Sequence, residues 1–199
     1  MITLASLDSL YPLVREHIPG ALDFMIRRAL VEVSKEFCRE SQLVQDTFGP
    51  VSVESGESVL LVSADQPYIG CKLIRVYGEE QSVPTDENQL KAGIDYQQLS
   101  GNELRVNRSF GGFNTIHVVE PRVTATQVPG ILVDDYPQAL ACGAVARMAS
   151  MPGKAWSNPK LAQSMRPYFV DGYRDAFRWR IENTAVNAYQ NPVIKQEFY

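Results

Sequence analysis

Residues 21–40 read ALDFMIRRALVEVSKEFCRE, the clearest helical pattern in the first half of the 199-residue chain. Apolar side chains recur in it at helical spacing, and charged side chains occupy the other faces. The apolar positions are Leu22, Ile26, Ala29, Leu30, Val33 and Phe37. An apolar stripe must be buried against another element, so this helix needs a partner within the fold. A shorter helix is predicted before it, over residues 6–17, ending at Pro19-Gly20.

Helical patterns return after residue 129. The segment that ends near Met151 is rich in alanine and glycine, and such small side chains let a neighbouring helix approach closely. Asp134 or Asp135 is expected to cap the start of this helix. Pro137 is expected either in its first turn or as a kink in a helix that starts earlier. The small residues place this helix at the centre of the expected helical packing.

A longer helix is predicted from Pro159 to about Val186, because asparagine followed by proline is a typical helix start. Pro167 lies inside this pattern and is expected to kink or interrupt the helix, since proline has no backbone N–H. The last residues, 187–199, contain another Asn-Pro pair and show no convincing helical pattern. We therefore treat them as a separate tail.

Residues 43–128 carry a different pattern. Short runs rich in valine, isoleucine, leucine and tyrosine alternate there with glycine, proline, asparagine and aspartate. Because no crossover helix separates the runs, we expect a mainly antiparallel sheet or a small sandwich. Gly111-Gly112 is expected in a hairpin loop between two strands. The expected strands are 51–54, 59–63, 72–77, 103–106 and 115–119. The last strand is expected either to end there or to continue through 122–126.

This order of elements predicts an α+β fold, a helical bundle formed from both chain ends with an inserted, mainly antiparallel β domain. The outer helices must meet, because each apolar stripe alone would face water. The expected boundaries are 1–41 for the N-terminal helices, 42–128 for the β insertion, 129–186 for the C-terminal helices and 187–199 for a C-terminal docking tail.

Composition excludes several classes of protein. Hydrophobic residues make up 45% and charged residues 21% of the chain, which is typical of a folded globular protein. The formal net charge of −4 argues against a protein that binds nucleic acid through many phosphate contacts. The first residues lack the pattern of a secretion signal, and no apolar run approaches the length of a membrane span. We expect a protein that is made in the cytoplasm and stays soluble.

The sequence gives little support to catalysis. His17 lies at a predicted helix end, where a cation is favourable, and His117 alternates with apolar residues of a predicted strand. Gly111-Gly112 leads into a strand and lacks the helix and lysine of a phosphate-binding loop. The cysteines are dispersed and have apolar neighbours, so packed, reduced thiols are expected at Cys38, Cys71 and Cys142. We predict no enzyme activity, no cofactor and no metal site.

Two stretches near the C-terminus are candidates for a partner interface. Arg178, Trp179 and Arg180 suit an interface because tryptophan and arginine are frequent in binding hot spots, although packing within the chain would explain them equally well. The tail contains further apolar and aromatic residues, which are Tyr189, Val193, Ile194, Phe198 and Tyr199. A frayed terminus is the alternative interpretation of the tail.

Residues 136–158 read YPQALACGAVARMASMPGKAWSN and are followed by Pro159. This arrangement resembles the head-to-tail adaptor (connector) proteins of tailed bacteriophages, which commonly have an alanine-rich helix, a Met-Pro-Gly-Lys-x-Trp-Ser-Asn-Pro turn and a long helix. Residues 21–40 resemble the N-terminal helix of the same family. The resemblance covers roughly half of the chain, and the β region carries no family motif. The residues that match the turn are Met151, Pro152, Gly153, Lys154, Trp156, Ser157, Asn158 and Pro159.

The resemblance implies a structural virion protein at the head–tail junction. Such a protein forms a ring, expected to be twelve-fold, beneath the portal protein, extends the DNA channel and offers a docking surface to a tail or neck protein. DNA would pass through the channel without sequence-specific binding, which suits the acidic balance of the chain. In relatives of this kind the C-terminal segment often inserts into or along the portal, so the aromatic tail is a candidate portal contact. The family supplies no catalytic residues.

Two alternatives remain open. A tail-completion or tail-tube-capping protein of the virion would share the structural role and differ in its neighbours. A small cytoplasmic enzyme or ligand-binding domain is the more remote alternative, and it would need a deep apolar pocket with convergent polar groups.

Overall fold

The computed structural model describes residues 2–78 and 88–183. Within these ranges it contains five α-helices and antiparallel β-sheets, which confirms the prediction of a mixed α+β fold. The helices are α1 (Tyr11–Arg15), α2 (Asp23–Ser41), α3 (Gly130–Asp135), α4 (Pro137–Ala149) and α5 (Pro159–Asn183). The strands are β1 (Leu4–Ser6), β2 (Gln45–Val53), β3 (Ser58–Leu60), β4 (Tyr68–Tyr77), β5 (Tyr96–Gln98), β6 (Glu103–Val106), β7 (Phe110–Pro121) and β8 (Gln127–Pro129).

The first predicted helix is divided. Leu7–Leu10 forms a 3-10 turn, and α1 follows with Pro12 in its first turn. Because proline has no N–H to donate, the helical hydrogen bonds cannot run unbroken through this position. Helix α2 agrees with its prediction, and its apolar stripe is buried except for Leu22, which precedes the first helical residue. Its C-cap is Gln42, which adopts the left-handed conformation with φ +51°.

The predicted cap of the alanine-rich helix is wrong. Asp134 and Asp135 belong to the separate helix α3, and α4 begins only at Pro137. The residue before a proline is disfavoured in the helical region, and Tyr136 accordingly breaks the helix with φ −125° and ψ 34°. Neither acid can therefore cap α4. The prediction that Pro137 lies in the first turn is confirmed.

Helix α5 starts as predicted. The side-chain oxygen of Asn158 accepts a hydrogen bond from the Leu161 N–H at 3.1 Å, and Pro159 occupies the first helical position. Pro167 does not interrupt the helix, which continues to Asn183. A single missing N–H removes one hydrogen bond, and the packing of α5 against α4 and α2 holds the helix together across it.

Helices α4 and α5 approach each other very closely, as their small residues predict. A side chain at Gly143 would meet the Phe169 ring, with its Cβ 2.5 Å from the ring Cδ2. A side chain at Gly172 would overlap the Cβ of Ala139 in the same way. The two glycines therefore set the distance between the helix axes.

Phe37 of α2 brings the first half of the chain into this contact. Its ring centroid lies 5.1 Å from that of Tyr136, 6.1 Å from that of Phe169 and 6.5 Å from that of Tyr173. Offset and edge-on aromatic contacts of this kind add to the stabilisation from burial. The apolar side chains of α2, α4 and α5 thus share one core.

Strand β7 organises the largest sheet. It pairs antiparallel with β2 on one side and with β4 on the other. A second antiparallel sheet has the order β3-β6-β5, and β1 pairs with β8. The start of the described chain is therefore joined by strand pairing to the segment that leads into α3.

Two predictions for this region are wrong. Gly111-Gly112 lies inside β7 and not in a hairpin loop, because pairing with β2 already begins at Phe110, opposite Val53. Tertiary pairing overrides the local turn preference of glycine here. Residues 122–126 form a turn after β7 and do not continue the strand.

Asn102 joins the segment before β6 to the start of β4. Its amide nitrogen donates to the Val62 carbonyl at 2.9 Å, and its amide oxygen accepts from the N–H groups of Val62 and Gly70, both at 3.0 Å. The side chain is buried, so these three hydrogen bonds form where water cannot replace them. Asn102 therefore fixes how the two three-stranded sheets meet.

Glu120 joins the sheet to the helices. Its carboxylate lies at the end of β7, is buried and accepts two hydrogen bonds from the Arg39 guanidinium of α2, one of them at 2.7 Å. The ammonium group of Lys35, one turn earlier in α2, lies 3.9 Å away. These charges tie α2 to the central strand.

Candidate functional site

The turn that carries the family resemblance, residues 151–159, is closed by its own hydrogen bonds. Gly153 adopts φ +71°, a conformation that glycine tolerates without strain. The Ser157 N–H donates to the Lys154 carbonyl at 3.0 Å, and the Asn158 N–H donates to the carbonyl of Ala149 at 2.9 Å. The chain thus returns to the end of α4 before α5 begins. This geometry fixes the angle between the two helices.

Most side chains of this turn are exposed, and two of them face the core. Met151 and Trp156 are partly buried and pack against the apolar cluster. The indole N–H of Trp156 is buried and has no hydrogen-bond partner among the residues that the structure describes. The exposed members of the turn are Pro152, Gly153, Lys154, Ala155, Ser157, Asn158 and Pro159.

The Arg-Trp-Arg stretch lies on the last turns of α5. The Trp179 side chain is 51% exposed. Arg178 pairs with Asp175 at 3.1 Å, and the Arg180 guanidinium lies 4.9 Å from the centre of the Phe177 ring. The other candidate interface residues, Tyr189, Val193, Ile194, Phe198 and Tyr199, lie outside the described residues.

A second exposed aromatic residue of α5 was missed by the sequence reasoning. Tyr168 is 64% exposed and lies eleven residues before Trp179, which is about three helical turns. The two rings therefore share one side of α5, about 16 Å apart along the helix axis. Asp171 and Asp175 lie on the same side between them. We call Tyr168, Asp171, Asp175 and Trp179 the aromatic side of α5.

The spacing of these residues places them on one side of the helix but does not show that this side is exposed. Positions 168, 171, 175 and 179 follow intervals of three, four and four, the same signal that reveals a buried stripe. The sequence alone does not say which stripe of a helix is buried, because aromatic residues serve both cores and interfaces. Contacts with α2 and α4 decide this question for α5.

Two of the open grooves among the described residues lie beside α5. One, of about 540 Å³, lies between α2, α4 and the start of α5 and contains Glu36 and Arg166, whose ion pair joins α2 to α5. The other, of about 740 Å³, lies between the end of α2 and the last turns of α5, and Tyr173, Phe177 and Arg178 contribute to its walls. Both grooves run along helix surfaces, a shape that suits a peptide or a protein neighbour.

The potential metal ligands of the described residues are dispersed, and burial keeps the three thiols protonated. No group of three or more histidine, cysteine, aspartate or glutamate side chains could hold a metal ion within residues 2–78 and 88–183. Burial and the nearby Glu120 carboxylate raise the pKa of Cys71 to about 12, and burial also raises the pKa of Cys38 and of Cys142. The thiols are free and protonated at neutral pH, so none is an activated nucleophile.

His117 is buried in β7, and its charge is coupled to folding. Its Nδ1 lies 3.3 Å from the Thr115 hydroxyl oxygen, and its Nε2 has no hydrogen-bond partner in the part of the chain that the structure describes. Burial lowers the pKa of His117 below 6.5, so the folded protein holds the neutral imidazole.

We expect the free energy of unfolding to fall as the pH drops below about 6.5, by up to about 1.4 kcal/mol per pH unit, until the pKa of the folded state is reached. The unfolded chain binds a proton in this range and the folded chain does not. His117→Gln should remove this part of the slope in urea unfolding measured from pH 7 to 5. His17→Gln, at an exposed histidine, is the control and should retain it. An unchanged slope in His117→Gln would contradict the prediction.

No model of a known protein family matches the chain, and no curated protein matches it significantly. None of the helices in the described ranges has the length and apolar character to cross a membrane.

Proposed function

We propose that this chain is a head-to-tail adaptor of a tailed bacteriophage, a structural protein that forms a ring, expected to be twelve-fold, below the portal. The ring would extend the DNA channel and dock the tail. The observation that carries this proposal is the aromatic side of α5. Tyr168 and Trp179 are large aromatic residues that are exposed to solvent on one side of a 25-residue helix. Such residues are typical centres of protein interfaces.

The turn between α4 and α5 supports the same assignment. Asn158 and Pro159 start α5, and Gly153 turns the chain after α4, so residues 151–159 form a turn between two helices, as the resemblance implies. In this proposal a helical bundle from both chain ends is the body of the ring subunit, and the β segment is an insertion in it. The contacts of Phe37 with Tyr136, Phe169 and Tyr173 support that arrangement.

The proposed conduit does not need to hold DNA. Many lysine or arginine contacts with phosphates would retain DNA that has to leave the capsid. The net charge of −4 is consistent with weak retention. We therefore expect weak binding to duplex DNA at physiological salt in a filter assay. Tight, salt-sensitive retention would contradict the conduit role.

Binding to the portal protein encoded in the same genome tests the proposal. The full chain should bind the assembled portal, and native mass spectrometry or electron microscopy should show a ring of adaptor subunits on it. Phe198→Ala combined with Tyr199→Ala should weaken binding about tenfold or more, because aromatic anchors dominate such contacts. Gln190→Ala combined with Gln196→Ala in the same tail is the matched control and should bind normally.

The outcome also separates the alternatives. A full chain that binds no portal but binds a tail-tube protein would overturn the adaptor assignment in favour of a tail-completion protein. A chain that binds neither would leave the resemblance without a functional counterpart and would contradict the proposal.

A further inference from the structure

A second surface of the molecule complements the aromatic side of α5. It is a small recess of about 340 Å³ between the start of α2 and the end of α4. Its apolar lining comes from Phe24, Met25, Ala29 and Met151, and Phe24 is 65% exposed at its edge. An exposed apolar patch of this kind commonly marks an interaction site. We call it the α2–α4 recess.

Two guanidinium groups line the same recess. Arg28 is exposed, and no carboxylate lies within 4.0 Å of it among residues 2–78 and 88–183. Arg147 has one distant partner, Glu32 at 4.0 Å, and is half exposed. The recess thus combines an apolar floor with two positive charges, and the nearest carboxylate among the described residues, that of Glu32, lies 4.0 Å from Arg147. Its natural occupant is an aromatic side chain accompanied by carboxylates.

The aromatic side of α5 carries both an aromatic ring and carboxylates. Trp179 supplies a ring, and an arginine stacked on an indole ring is the most favourable cation–π pair in proteins. Asp171 and Asp175 supply the carboxylates. Their pairs with Arg174 and Arg178 are about two-thirds exposed, and such pairs are weak enough to exchange for a partner's guanidinium.

We propose that the aromatic side of α5 in one copy of the chain docks into the α2–α4 recess of the next copy. This inference rests on the proposed function and names the surfaces that would join neighbouring subunits. The contact is head-to-tail, since each copy offers one surface of each kind, and a repeated head-to-tail contact closes a ring when its rotation permits. A twofold contact between two α5 helices is disfavoured, because it would place Asp171 and Asp175 against like charges.

The test measures self-association of the purified full chain by sedimentation velocity and native mass spectrometry. The wild-type chain should form oligomers larger than a dimer. Trp179→Ala removes the aromatic anchor, and Arg28→Glu puts a negative charge beside Arg147 and cancels the positive charge of the recess, so each variant should weaken association about tenfold or more. Ile94→Ala, at an apolar residue that is 69% exposed elsewhere on the surface, is the control and should associate as the wild type does.

A mixture of the two variants is the decisive sample. Trp179→Ala keeps an intact recess and Arg28→Glu keeps an intact aromatic side, so one productive contact remains and the mixture should form dimers that cannot grow. A monomeric mixture, wild-type association in either variant, or a wild-type chain that stays monomeric at every attainable concentration would overturn the inference. Portal binding is measured separately, so rings on the portal formed by Trp179→Ala would refute this interface and leave the adaptor function standing.

Discussion

Gly143→Leu is expected to lower the free energy of unfolding by about 2 to 3 kcal/mol, because it overpacks the contact between α4 and α5. Even a Cβ at Gly143 would lie 2.5 Å from Cδ2 of Phe169, whose ring is fully buried and cannot move into solvent. A better helix propensity than that of glycine offsets only about 1 kcal/mol of this cost. Urea unfolding followed by circular dichroism measures the difference.

Two further variants show whether the effect arises at this contact. Gly111→Leu places the same side chain at a strand glycine with open space around it, and it should change stability by about 0.5 kcal/mol or less. Phe169→Ala alone should cost about 3 to 5 kcal/mol through a cavity. Together with Gly143→Leu it should cost less than the sum of the two, since leucine fills part of that cavity. Additive costs would show that the ring and Gly143 do not limit each other.

Arg39→Met is expected to cost about 2 to 3 kcal/mol, because it leaves the buried Glu120 carboxylate with Lys35, at 3.9 Å, as its one nearby cation among the described residues. The reverse change, Glu120→Met, should cost about 1 kcal/mol or less. The asymmetry follows from burial, since the Glu120 side chain is 5% exposed whereas that of Arg39 is 57% exposed. Without its partner, the Arg39 guanidinium can be hydrated, whereas the buried Glu120 carboxylate cannot.

Two control variants test whether burial of the carboxylate causes the loss of stability. Arg39→Met combined with Glu120→Met should recover most of the stability that Arg39→Met loses, because no buried charge remains. Arg166→Met breaks the more exposed pair with Glu36 and should cost less than about 1 kcal/mol. Equal costs for Arg39→Met and Glu120→Met would show that the carboxylate reaches solvent and that burial does not set the energetics.

The helical features that were predicted from the sequence are those set by local interactions. Asn158 and Pro159 start α5 because the first N–H groups of a helix lack carbonyl partners within the helix. The Asn158 side-chain oxygen accepts a hydrogen bond from one of these N–H groups, and Pro159 has no N–H that needs a partner. The stripe of α2 follows from the helical period alone. Local rules were wrong at Asp134 and Asp135, since the restriction that Pro137 imposes on Tyr136 divides the segment into two helices.

The candidate site also contains features that the sequence could indicate and features that it could not. Trp179 and the turn at 151–159 could be chosen by residue type, whereas Tyr168 could not, because a tyrosine on a helix is as suitable for a core as for an interface. The α2–α4 recess was also beyond sequence reasoning. Its two arginines lie 119 positions apart, at Arg28 and Arg147, and only the packing of α2 against α4 brings them to one recess.

The sequence by itself determined the start of α5, the apolar stripe of α2, the small residues that let α4 and α5 approach, and the α+β order of elements. The tertiary structure alone decided that Gly111-Gly112 is strand, that Pro167 leaves α5 unbroken and that Tyr168 and Trp179 face water. The physical reason is the range of the interactions. Caps and helical periods act over a few residues, whereas strand pairing and burial depend on neighbours that the chain brings from far along its length.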